Sequence, residues 1–202
     1  MRKKVTRRQF VQVSTAGIAV AATRPVFGQA PAVQTGGIKP VVVSSSNGNR
    51  YKNGGPVAGV QRAFDMIVKG SDVLDAVIAG VNLCELDPED NSVGYGGLPN
   101  AEGVVQLDSS CMHGPTRRAG AVASIEGVRT PSLVARAVLE HTDHHLIVGK
   151  DAQAFARSMG FKIEDDLNTE RSRQMWLEWK RRIDPEHYPI PRSAVTRRWQ
   201  QA

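Results

Sequence analysis

Residues 87–114 read DPEDNSVGYGGLPNAEGVVQLDSSCMHG. A helix-like apolar run ends before Pro88, and a strand-like run begins at Gly103. The join between them carries Gly94, Gly96 and Gly97, a density that lets a backbone take positive φ or pass close to a ligand. Ser92 opens the join, where a short hydroxyl can hydrogen-bond a small polar substrate. No Gly-Lys-Ser/Thr run makes it a phosphate loop, and no following helix makes it a dinucleotide fingerprint.

At 202 residues and 41% hydrophobic content, the chain is expected to build one domain with a real core. Its formal charge of +6 would ordinarily suggest nucleic acid. The excess lies at the start, however: Arg2, Lys3, Lys4, Arg7, Arg8 and Arg24 meet no acid within residues 1–30. The main body has no basic stripe with interleaved aromatics, so a nucleic-acid partner is rejected. Thr6-Arg7-Arg8-Gln9-Phe10-Val11, followed by a modestly apolar stretch to Ala22, is a twin-arginine export pattern. Cleavage after Ala30 or Ala32 fits the small-residue rule, and the membrane enters only through this signal. The expected destination is the periplasm or the exterior. Cys84 and Cys111 are expected to be buried free thiols rather than a disulfide.

The expected organisation is a signal over 1–30, a leader over 31–39, a domain over 40–183 and a linker or tail over 184–202. Pro40–Ser46 reads as a buried strand and Asn47-Gly48-Asn49 as a turn. Pro56 opens a helix with Val57, Val60, Phe64, Ile67 and Val68 on one face. Ser71 caps a second helix with Val73, Leu74, Val77, Ile78, Val81 and Cys84 inward. Strands over Gly103–Met112 and Gly120–Ile125 follow, then a helix from Pro131 to His141. His145–Gly149 is a short strand, and Asp151–Met159 a helix stopped by Gly160. An amphipathic helix over Asn168–Ile183 gathers Met175, Trp176, Trp179 and Ile183 as a cover for the core rather than a membrane-surface helix. This order predicts an α+β or α/β layered domain.

Several motifs then fall in a familiar order. They are Leu74-Asp75-Ala76-Val77, Asn91-Ser92-Val93-Gly94-Tyr95-Gly96-Gly97-Leu98-Pro99, Leu107-Asp108 and Gly120-Ala121-Val122-Ala123. Ala135 through Thr142, Leu146-Ile147-Val148-Gly149 and Ser158-Met159-Gly160-Phe161 continue the series. Over about residues 40–180 the chain resembles the α-chain of the glycosylasparaginases (aspartylglucosaminidases). These belong to the asparaginase and isoaspartyl-peptidase branch of the N-terminal nucleophile hydrolases. The resemblance implies α+β architecture as the α-chain half of a four-layer αββα sandwich. It also implies a precursor that cuts itself to expose a threonine at the start of a β-chain. That hydroxyl attacks an asparagine side-chain amide with its own α-amine, titrating at roughly 7.7–8, as base. An oxyanion hole assists.

The family's His-Asp-Thr-Ile-Gly-like motif is absent. Thr196, in Ala-Val-Thr-Arg-Arg-Trp, lacks both the preceding Asp and the following Gly. No catalytic residue is therefore assigned to this chain, and the partner it implies is a β-chain of the same precursor, in a hetero-oligomer. The substrate class implied is a small asparagine-linked amide. Ser92 matches the family's pocket serine. Where the family carries a tryptophan after its first strand, this chain has Ser44-Ser45-Ser46, which leaves Ser46 and Asn47 as further substrate-side candidates. No cofactor and no metal are expected. Two competing readings are a truncated, inactive product and a metal-binding module built on His141, Asp143, His144 and His145.

Overall fold

The computed structural model describes residues 39–189, and every helix and strand among them belongs to one compact unit that begins at Pro40. The expected signal, most of the expected leader and Thr196 lie outside the described residues. The elements are α1 (Ser46–Arg50), α2 (Gly59–Val68), α3 (Val73–Leu86), β1 (Gln106–His113) and β2 (Arg118–Glu126). They continue with α4 (Pro131–His141), β3 (Ile147–Val148), α5 (Gly149–Ser158) and α6 (Glu170–Ile183).

β1 and β2 form an antiparallel hairpin, and β3 adds to β2 in parallel, giving the order β1-β2-β3. Val122 and Ile125 are three residues apart, which in a regular strand puts them on opposite faces. An irregularity in the ladder beside Asp108, with Ser124 at φ 50, brings both inward. Ser124 N–H donates to the Asp108 carboxylate at 2.7 Å and fixes that kink. The core then gathers Val122, Ile125, Val134, Val138, Ala152 and Leu167. Burying each large member contributes roughly 1.5–3 kcal/mol.

The helices α4 and α5 cover one face of this sheet. Opposite them, Asp108, Ser110 and Met112 point outward, with Met112 73% exposed. Among the described residues β1 pairs along one edge only. The observed architecture is mixed α+β around a small three-stranded sheet.

Five expectations are corrected. Residues 40–45 form no strand: Val41 is 78% and Val43 88% exposed, and the expected turn at Asn47–Asn49 is instead the short helix α1. A strand exists only as part of a ladder, and this segment joins none among the described residues. The helix expected from Pro56 starts at Gly59 and buries Gly59 and Ala63, leaving Phe64 and Val68 exposed. In α3 the buried side chains are Leu74, Ala76, Ile78, Cys84 and Glu85, while Val73, Val77 and Val81 are exposed. The two helices meet at Gly59 and Gly80, where an added Cβ would lie 2.4–2.5 Å from the other's carbonyl oxygen. Backbones that close leave no room for valines at the contact. The α3 cap is Asp72 rather than Ser71, accepting from Leu74 N–H at 2.8 Å and Asp75 N–H at 3.3 Å.

The other elements are present with shifted ends: β1 opens at Gln106 instead of Gly103, β3 shortens to Ile147–Val148, and Gly149 starts α5. Pro131 occupies the first turn of α4, Gly160 ends α5 at φ 84, and Thr169 with Ser172 forms a capping box on α6. Trp176 of α6 donates its indole N–H to Asn100 O at 2.9 Å, so the helix closes over the 98–103 loop. Lys180 lies over the Trp176, Trp179 and Tyr188 rings.

β2 and α4 are in backbone contact at Gly120, where a Cβ would sit 2.3 Å from Ala135 O. Gly120→Ala is expected to destabilise by about 3 kcal/mol. Gly70→Ala serves as a control: Gly70 has φ 89 but open space around it. Its strain alone is expected to cost about 1 kcal/mol. Thermal melts compare the two, and equal shifts would contradict the tight β2–α4 contact.

Candidate functional site

The site is built on the last turn of α3 and the loop that leaves it. Tyr95 N–H donates to Glu85 O at 2.7 Å, folding the glycine loop back on the helix end. Gly94, at φ 58, leaves only 2.0 Å between a would-be Cβ and that same carbonyl, so no side chain fits. Gly96 N–H donates to Leu167 O at 2.9 Å, tying the far side of the loop to the segment before α6. Arg129 stacks on Tyr95 at 3.8 Å while holding Glu164 through two 2.8 Å hydrogen bonds.

Three carboxylates lie buried at this helix end. Glu85, 2% exposed, accepts from Ser132 N–H at 2.9 Å, Ser132 Oγ at 2.7 Å and Asn82 Nδ2 at 2.6 Å. Since Ser132 is at the start of α4 and Thr130 makes no side-chain cap, Glu85 caps α4 from outside. Asp87 accepts from Lys52 N–H at 3.2 Å, Asn53 N–H at 2.7 Å and Glu89 N–H at 3.0 Å. Asp90, 1% exposed, accepts from Ser92 N–H at 3.0 Å, Ser92 Oγ at 2.6 Å and Asn47 Nδ2 at 3.3 Å.

Ser92 and Asn47 are thereby brought together: Asn47 Nδ2 donates to Ser92 Oγ at 2.7 Å. Ser92 itself is exposed. Asn47 Oδ1 accepts from Ser45 Oγ at 2.5 Å. Ser46 opens α1, is exposed, and makes no side-chain hydrogen bond among the described residues, so it does not join the cluster. Asp90 and Ser45 are the members that sequence reasoning missed. A groove of about 260 Å³, lined by Val42, Val60, Val77, Val81 and Val93, runs between α2 and α3 up to Ser45 and Asn47. Larger hollows lie elsewhere: one of about 440 Å³ between the 103–105 and 163–168 segments, and one of about 500 Å³ between the 98–101 loop and α6.

The sequence matches the asparaginase family over residues 34–196. The chain belongs to the asparaginase family. It is 42% identical over 141 residues to an N(4)-(β-N-acetylglucosaminyl)-L-asparaginase of Elizabethkingia miricola, covering 70% of this chain and 39% of the relative. It is 40% identical over 129 residues to the Mus musculus protein of the same name, covering 63% of this chain and 37% of the relative. The chain thus spans under two-fifths of the length of these relatives. Their names are those of amidohydrolases of the glycosylasparaginase type, in agreement with the resemblance carried by the sequence motifs.

The histidine-rich turn of this asparaginase-family chain does not assemble as a metal centre. Among the described residues no group of three His, Cys, Asp or Glu side chains comes together to hold an ion. His141, His144 and His145 are exposed, and Thr142 spends its hydroxyl on Val138 O at 2.8 Å as a helix stop. Both cysteines are free thiols.

Burial raises the Glu85 carboxyl above its ordinary range, opposed in part by the Ser132 and Asn82 hydrogen bonds. A carboxyl raised on folding contributes stability below its unfolded value of about 4.3 and loses it as pH rises through the folded value. Glu85→Gln is expected to flatten that decline. Urea midpoints from pH 4 upward check it, and an unchanged slope would show that Glu85 does not titrate abnormally. Burial, followed by the Asp90, Asp87 and Glu85 charges, pushes the Cys84 thiol up to about 11. At pH 7.5 Cys84 is expected to resist a thiolate-directed reagent in the native chain and to react fully in denaturant. Rapid native labelling of Cys84 would contradict this electrostatic environment.

Proposed function

We propose that this chain is the α-part of an exported asparagine-amide hydrolase of the N4-(β-N-acetylglucosaminyl)-L-asparaginase or asparaginase type. The nucleophilic threonine in this reading lies on a β-chain, which completes a four-layer αββα sandwich around the described sheet. The observation that carries the proposal is the uncovered side of the molecule. Met112 and the outward face of the hairpin, the β1 edge left unpaired among the described residues, and the exposed Val41, Val43, Val73, Val77 and Val81 are apolar or hydrogen-bonding surfaces in want of a partner. The relatives' greater length supports the same reading.

In this mechanism the β-chain threonine attacks the amide carbonyl carbon, and its α-amine takes the hydroxyl proton. The C–N bond breaks, the amine leaves with a proton, and water then cleaves the β-aspartyl ester. This chain contributes the wall of the pocket. Its Ser92 hydroxyl sits on a loop held by Asp90, Gly94 and Gly96, so it is placed before any partner arrives. The same uncovered surfaces also favour a second reading, a truncated product that aggregates without acting.

The test is reconstitution. The purified chain alone is expected to release no aspartate from N4-(β-N-acetylglucosaminyl)-L-asparagine. Co-produced with a β-chain from a relative, it is expected to form a soluble complex that does. Ser92→Ala in that complex should lower kcat/KM roughly tenfold, the loss of about one hydrogen bond. Turnover by the chain alone would refute the division of labour, and failure to form a soluble complex would favour the truncated product. Parallel assays with asparagine and a β-aspartyl peptide identify the amide that is cleaved.

A further inference from the structure

Asp90 is nearly inaccessible, yet no hydrogen bond of its carboxylate comes from an element of the core. All come from Ser92 and Asn47, the two polar groups at the rim of the candidate pocket. An ionised carboxylate only accepts hydrogen bonds. The short Ser92 Oγ to Asp90 Oδ1 contact of 2.6 Å therefore takes the hydroxyl's single proton inward.

The Asn47 amide is oriented by the same rule. Its Nδ2 is the group within 3.3 Å of the carboxylate, because an amide oxygen there would meet like charge. That leaves Oδ1 to receive the Ser45 hydroxyl at 2.5 Å. The second proton of Nδ2 goes to Ser92 Oγ at 2.7 Å. A hydroxyl has one donor and two acceptor positions. On Ser92 the donor is spent on Asp90 and one acceptor on Asn47, so one lone pair remains, on an exposed residue.

We infer that Asp90 is a positioning residue that commits Ser92 to accept, so that this point of the site takes an amine or amide N–H and turns away carboxylates and carbonyl oxygens. The inference rests on the placing of Ser92 in the pocket proposed above, and it names the polarity of what that serine meets. It also recasts Asn47 as a support for Ser92 instead of a direct contact. The Asp90 charge behind the hydroxyl adds attraction for an ammonium and repulsion for an anion.

The experiment needs no β-chain and no turnover. The full chain, labelled with nitrogen-15, is titrated with methylammonium and separately with acetate. The backbone N–H of Ser92 and the side-chain amide of Asn47 are followed by NMR. Methylammonium is expected to shift both signals saturably, and acetate to leave them in place. Asp90→Asn, which keeps the shape and removes the charge, should weaken the methylammonium response at least several-fold. Ser92→Ala, which leaves Asp90 untouched, should abolish the Asn47 shift. A preference for acetate, equal responses to both probes, or an Asp90→Asn chain that responds like the parent would overturn the inference. A methylammonium response in a chain that fails reconstitution would sink the proposed reaction and leave the polarity of Ser92 standing.

Discussion

The constraint on which the rest of the molecule depends is the burial of Glu85, Asp87 and Asp90 within six residues at the C-terminal end of α3. A helix C-terminus is already the negative end of its dipole, so three carboxylates there oppose folding unless each is fully hydrogen-bonded. Each finds its donors on a different stretch of chain. Glu85 takes the first turn of α4, Asp87 the 52–53 turn, and Asp90 both Ser92 and the Asn47 side chain. No buried side-chain polar atom among the described residues is left without a partner. The electrostatic problem thus becomes a connector, because the acids are tolerable only when those segments are in place.

Rigidity at the glycine loop follows from that connection. Gly94 packs against the Glu85 carbonyl from one side while Tyr95 N–H bonds it, and Gly96 is fixed to Leu167. The glycines serve close backbone packing, and the hydroxyl at Ser92 inherits the precision of that packing. Function in this reading comes from a loop that is positioned rather than mobile.

Much of the fold was legible in the sequence. The helices α4, α5 and α6 have strong local signals, among them Pro131 at a helix start and Gly160 at a helix stop, and the strands β1 and β2 are marked by Val104, Val105 and Leu107 and by Val122 and Ile125. The first segment was not legible, because Val41-Val42-Val43 has strand composition whether or not a neighbouring strand exists. The facing of α3 was not legible either. Its apolar residues surround the axis, so periodicity cannot choose a side, and the choice is made by the Gly59–Gly80 approach. At the site, Ser92 and Asn47 were readable as polar groups beside a turn. Asp90 was not, since acids in a loop are ordinarily solvated. One signal was available: Glu85, between Cys84 and Leu86, is a charge in the last turn of an otherwise apolar helix face.

The two kinds of surface on this chain differ in what holds them. The polar rim around Ser92 is closed by hydrogen bonds among Ser45, Asn47, Asp90 and Ser92, on a loop anchored to Glu85 and Leu167, so its geometry is set by contacts this chain already makes. The apolar surfaces, Val41 and Val43 with the outward edge of α3, are satisfied by nothing among the described residues. Burial of apolar area is non-directional and proportional to extent, whereas a hydrogen-bonded rim fixes orientation. The proposed β-chain would therefore draw its affinity from the valines and its register from the rim. That separation lets an assembly form through broad contacts while the substrate meets one oriented hydroxyl, that of Ser92.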